Sequence, residues 1–134
     1  MAVDNIKMEF SNKFEGKAIS PTGEVLIGSD KGMMKPYHLL FSALGSCFYA
    51  TFISIVEKKK LCFSGAELEI SGTQRDDKIK TLDQVDIFMR VFNASDEKQF
   101  ERSAELGALY CSIHETVNKV AKINVKLEFF YEAV

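Results

Sequence analysis

The chain has 134 residues, 17 basic and 19 acidic side chains, and a formal net charge of −2. That length fits one domain over residues 1–134, able to bury about two-thirds of its unfolded surface. The near-neutral balance gives nucleic acid no electrostatic hold. Three cysteines in a chain that can build its own core argue against a secreted disulfide framework and for a reducing, cytoplasmic setting.

From the N-terminus, Met1 to Lys7 combines neither a basic cluster with an apolar run nor a cleavage site, so no secretory signal is expected. Residues 3–30 read as short strands joined by turns, with a polar hinge between Phe10 and Lys17. Pro21-Thr22-Gly23 is a turn signal ahead of the strand Glu24-Val25-Leu26-Ile27. After the loop Ser29-Asp30-Lys31-Gly32, Pro36 suits the first turn of a helix, where its missing N–H costs nothing. The helix is expected to run to Lys60, with Lys58, Lys59 and Lys60 complementing its C-terminal dipole.

Within it, Leu39 to Val56 is an uncharged stretch of 18 residues, close to the shortest span of a bilayer. Ser42, Gly45, Ser46, Thr51 and Ser54 dilute it, and the strand-rich remainder needs such a helix as its core. A buried helix of a soluble protein is therefore the expectation, with no membrane partner. Its apolar character nearly all round is more than one small domain covers, which points to burial against a second copy and hence a homodimer.

Ala66 to Ser71 and Val85 to Val91 alternate with period two, as strands of a sheet with one covered face do, although Phe88 interrupts the polar face of the second. Thr73 to Thr81 reads as the exposed hairpin end between them. Ser95 is the expected N-cap of a helix that buries Phe100, Ala104 and Leu106 and stops near Gly107. A further helix is expected to carry Cys111, Ile113, Val117 and Val120. The strand Asn124 to Tyr131, apolar at odd positions, closes the chain. Strands grouped apart from helices give an α+β fold with mostly antiparallel sheet.

Cysteine on an apolar segment is most often a small core residue, and that is the plain reading of Cys62, between Leu61 and Phe63 at a strand start. Cys47 lies in the apolar run Leu39 to Phe48, and Cys111 in Leu109-Tyr110-Cys111-Ser112-Ile113-His114. If these two meet, the chain holds one attacking and one resolving thiol. His114, three residues after Cys111, shares its helix face. Neither cysteine has the tight spacing to a second ligand that a zinc site uses, so no metal and no other cofactor is expected.

Pro36 before an apolar helix leading to Gly45-Ser46-Cys47-Phe48, the lysine-tipped helix end, the strand pair, and Tyr110-Cys111 opening a late helix together resemble the OsmC/Ohr family of osmotically inducible and organic-hydroperoxide-resistance proteins. The resemblance spans essentially the whole chain in element order. It implies sheets wrapped around long central helices in an intertwined homodimer. It also implies a peroxidase mechanism: Cys47 attacks a hydroperoxide, Cys111 resolves the product to a disulfide, and an external dithiol reduces it again. Tyr37, His38 and His114 would then flank the binding site. Family peroxidases have an arginine in the N-terminal strands, a glutamate after the helix-opening proline and a proline after the second cysteine. Here the first arginine is Arg75, and those two positions are Tyr37 and Ser112. Without a guanidinium, burial is expected to raise the Cys47 thiol pKa. A dimeric protein that keeps the fold and holds a small apolar ligand, without efficient peroxidase activity, is the alternative.

Overall fold

The computed structural model describes residues 1–132. The chain divides into two compact units, Met1–Leu40 and Phe41–Val134.

The first unit is an antiparallel sheet of β1 (Lys7–Phe10), β2 (Glu15–Ile19) and β3 (Glu24–Gly28), in that order, with Glu9 opposite Lys17 and Lys17 opposite Leu26. The first hairpin closes through Ser11 N–H to the Glu15 carbonyl at 3.1 Å. In the second, Ser20 Oγ accepts from the N–H groups of Thr22 and Gly23 at 3.2 and 3.0 Å, a hydroxyl-stabilised turn. Gly16 is required, because a Cβ there would lie 2.1 Å from the Glu9 carbonyl oxygen. Met8, Phe10, Phe14 and Leu26 stay exposed on this small sheet.

The helix α1 (Pro36–Lys58) begins in the first unit and runs on into the second. The second unit adds β4 (Gly65–Gln74), β5 (Leu82–Phe92), α2 (Glu97–Leu109), α3 (Ser112–Asn118) and β6 (Lys122–Phe130). Its sheet runs β4-β5-β6. The β4/β5 hairpin is antiparallel, while β6 lies parallel to β5, a pairing that needs a long crossover, which α2 and α3 provide. The α+β class and the mostly antiparallel pairing hold.

The core forms where α1 lays a stripe of spacing four, Leu44, Phe48, Phe52 and Val56, against Val85, Ile87, Met89 and Val91 of β5. Phe48, Phe52, Phe63 and Phe100 interlock, with ring centroids 5.4–6.3 Å apart. Phe88, on the other face of β5, lies under the Arg90 guanidinium at 4.8 Å, and Arg90 also pairs with Glu67 and Glu69.

Several boundaries depart from expectation for local reasons. α1 stops at Lys58 because Lys60 turns left-handed at φ 57°. The N–H groups of Lys60 and Leu61 then reach back to the carbonyls of Glu57 and Val56 at 3.0 and 3.1 Å. The N-cap of α2 is Asp96, whose carboxylate accepts from Gln99 N–H at 3.2 Å, and not Ser95. Ser95 Oγ instead accepts from Cys62 N–H at 3.0 Å. α2 continues past Gly107, where the missing side chain lets the helix seat on Phe52, whose backbone is 3.3 Å from where a Cβ would be. Val120 lies outside α3 and is exposed. Cys62 occupies the loop before β4 and is exposed, not a strand residue of the core.

Candidate functional site

Cys47 sits on α1 beside the buried stripe, one residue before Phe48, and is half-buried. Cys111 lies at the break between two helices. α2 ends at Leu109, and Tyr110, its C-cap at φ −101° and ψ 6°, returns its N–H to Leu106 at 3.0 Å. The chain then extends through Cys111 at φ −83° and ψ 118° before α3 begins. Cys111 is therefore an N-cap and not a helix-interior residue. Its Sγ accepts from His114 N–H at 3.3 Å, the position usually given to an oxygen. The side chain is buried to 1% exposure, and both cysteines are reduced.

Within one chain the two thiols lie near enough to shift each other's pKa in opposite directions. The start of α3, through Ser112 and Ile113, also acts on the Cys47 thiol. Burial is the largest single influence on the Cys47 thiol and pushes its pKa up. The hydrogen bonds from Cys111, Ile113 and Ser112 together outweigh it, and the net shift is down. Cys111 moves the other way. Burial raises it first, and then its hydrogen bond to Cys47 and the charge on Cys47 raise it further, against the opposing N–H groups of His114 and Ile113. The pair is thus unequal, with Cys47 the more acidic thiol and Cys111 the less acidic.

The expected upward shift of Cys47 is overturned. Among the described residues no cation contributes to the downward shift; neutral donors gathered by the α2–α3 break do. The sequence showed Ser112 only as a substitution for proline, and nothing in it indicated that the start of α3 would act on the Cys47 thiol. Proline at that position would supply neither Ser112 donor.

The remaining candidates stand as follows. His114 is half-buried on α3, its imidazole held below its usual pKa by burial, against the opposing charge of Glu115. Tyr37 and His38 lie in the first turn of α1, in the first unit, and both are exposed. His38 Nδ1 accepts from Lys35 N–H at 3.0 Å, so the imidazole closes the helix start in the manner of a capping-box glutamate. Among the described residues, no three His, Cys, Asp or Glu side chains are grouped to hold a metal ion.

Residues 28–126, well over half of the chain, match the family model of OsmC-like proteins. No curated protein matches by sequence. Among solved structures, a hypothetical protein from Aquifex aeolicus VF5 is similar at a TM-score of 0.87 and 24% identity, covering 99% of this chain and 100% of that one. An OsmC-like protein from Mycoplasma pneumoniae aligns at 0.83 and 18% identity, over 96% and 97% of the two chains. The organic hydroperoxide resistance protein OhrB of Bacillus subtilis aligns at 0.71 and 11% identity, over 95% and 98%. At these identities the likeness is one of fold.

Proposed function

The chain belongs to the OsmC-like family, and from that premise we propose that it is a thiol-dependent hydroperoxide reductase with Cys47 as attacking and Cys111 as resolving thiol. One feature carries this reading: Cys111 and the start of α3 draw the Cys47 thiol pKa down against burial, while burial and the neighbouring Cys47 push that of Cys111 up. The thiolate is the nucleophilic form, and an enzyme needs it on one sulfur of the pair, not on both.

The Cys47 thiolate attacks the terminal oxygen of a hydroperoxide, the O–O bond breaks, and the departing alkoxide takes a proton to leave as an alcohol. Cys47 is oxidised to the sulfenic acid. Cys111 sulfur then attacks the Cys47 sulfur, forming the disulfide and expelling water. The mutual influence of the two thiols supports this order of steps. While Cys47 is an anion, its charge and its hydrogen bond keep the proton on Cys111. Oxidation to a neutral sulfenic acid removes that charge, so Cys111 loses its proton more readily once there is something to resolve. An external dithiol returns the pair to the reduced state.

The active form is proposed to be a cytoplasmic homodimer. Only 28% of the most apolar window of α1 is buried by its own chain, although its mean hydropathy of 1.9 suits a membrane span or a protein core. The stripe from Leu44 to Val56, already packed on β5, favours a core helix whose remaining faces meet a second copy. Stoichiometric reduction of an organic hydroperoxide, followed by loss of two free thiols per chain, tests the catalytic reading. A chain that consumes no hydroperoxide yet retains an apolar ligand as a dimer would establish the binding-protein alternative, which the lack of any arginine before Arg75 favours.

A further inference from the structure

At seven residues, Ser112–Asn118, α3 makes about two turns, too few to hold without help from its ends and its packing. Its far end is secured several times over. Val117 is buried, and its carbonyl accepts from the N–H groups of Val120 and Ala121 at 3.0 Å each. The Arg75 guanidinium reaches the Val120 carbonyl from the end of β4 while pairing with Asp83 at 3.1 Å. The near end is capped by a sulfur: Cys111 Sγ accepts from His114 N–H at 3.3 Å, with the Cys111 backbone extended as an N-cap requires. Glu115, the acidic side chain of the first turn, pairs with Lys119 one turn on, at 3.2 Å.

Capping and resolving make competing demands on that sulfur. In the reduced chain it is placed by rotation about the Cα–Cβ bond alone, and it lies over the His114 N–H. A disulfide fixes the S–S length at about 2.0 Å and the Cβ–S–S–Cβ dihedral near 90°, so its place would be set by Cys47 on α1 and not by α3. We propose that the first turn of α3 is a redox switch: the Cys111 sulfur closes it while both thiols are reduced, and releases it once that sulfur is bound to Cys47. This rests on the pairing of Cys47 with Cys111 under the proposed function. Each sulfur gives up its hydrogen as the S–S bond forms, and the two electrons and two protons reduce the hydroperoxide to an alcohol and water. Because the far end is held independently, release opens residues 112–115 and leaves Val117 seated. Opening matters for turnover, since the reductant's thiolate must reach a bridge whose Cys111 side the closed turn buries.

The test is amide hydrogen exchange, read residue by residue by NMR in a Cys62→Ser background, before and after oxidation with diamide. The N=N bond of diamide takes up the two electrons and two protons, so the bridge forms without any peroxidase activity. In the bridged chain the His114 amide exchanges about 3–10-fold faster than in the reduced one, the effect of losing one N-cap, while Val120 and Ala121 are unchanged. Cys111→Ser caps α3 with an oxygen that cannot be oxidised, and its His114 amide stays protected under both conditions. Cys111→Ala has no cap and exchanges at the fast rate under both. Equal His114 protection in the reduced and bridged chains overturns the proposal. So does a rise shared equally by Val120 and Ala121, an alanine variant as protected as the reduced parent, or diamide that never joins Cys47 to Cys111. The peroxidase reading fails separately if organic hydroperoxide stays unconsumed by a chain in which diamide forms the bridge.

Discussion

Cys111 and Cys62 both lie where the chain passes between regular elements, and both are tied to a helix start, yet the ties differ in which atoms they use. At Cys62 the backbone is held: its N–H donates to Ser95 Oγ at 3.0 Å and its carbonyl accepts from Ser95 N–H at 2.9 Å, while the side chain faces out. At Cys111 the sulfur itself is engaged: it caps α3 by accepting from His114 N–H at 3.3 Å, and its thiol pKa is raised by burial and by the neighbouring Cys47. A loop cysteine gains chemistry only when its sulfur joins the hydrogen-bond network, and exposure alone does not supply that.

Removing the sulfurs one at a time separates the three cysteines most strongly. Cys47→Ser is expected to abolish hydroperoxide consumption. Cys111→Ser is expected to permit a single turnover and leave a sulfenic acid that a dimedone-type probe traps on Cys47. Cys62→Ser should leave the rate unchanged. Equal loss in the Cys62 and Cys47 variants would erase the distinction.

Next in size are changes to the packing that brings the two sulfurs together. Phe48→Ala, beside Cys47 in the core, should cost about 3–5 kcal/mol in denaturant unfolding. Gly107→Ala places a methyl 3.3 Å from the Phe52 backbone, which must yield or push α2 away. It should cost about 1–3 kcal/mol and slow disulfide formation, since α2 leads directly into Cys111. The smallest effect concerns His114. Burial lowers its folded-state pKa below 6.5, so its contribution to stability is intact above that pH and is lost as pH falls through the folded-state value. Stability curves of the parent and of His114→Gln should therefore converge in shape above pH 7 and diverge only in mild acid.

Much of this organisation was legible in the residues. Pro36, the uncharged run behind it and the period-two alternation of β4 and β5 located the central helix and the sheet. The errors came from residues with two physical uses. Gly107 reads as a helix stop, but its use is close approach to Phe52. Ser95 and Asp96 both suit an N-cap, and the hydroxyl went to Cys62. α1 stops at Lys58 because Lys60, just beyond it, adopts the left-handed conformation that glycine would have advertised. Leu61 and Phe63 do pack against the core, and the alternation that turns them inward turns Cys62 out, so its exposure was available from the sequence. The contact between Cys47 and Cys111 was not. Spacing alone leaves their distance open, and only the resemblance to a family implied it. The direction of the Cys47 shift depended on hydrogen-bond donors whose convergence no linear pattern encodes.

If Cys47 and Cys111 are the redox unit, disulfide mapping reveals the bond between them. After one equivalent of an organic hydroperoxide, free thiols are blocked, the unreduced chain is digested, and the disulfide-linked peptides are identified by mass spectrometry. A bridge between Cys47 and Cys111 of the same chain is expected, with Cys62 recovered as the blocked thiol. A major bridge through Cys62, or thiols all recovered free after the hydroperoxide has been consumed, would contradict it.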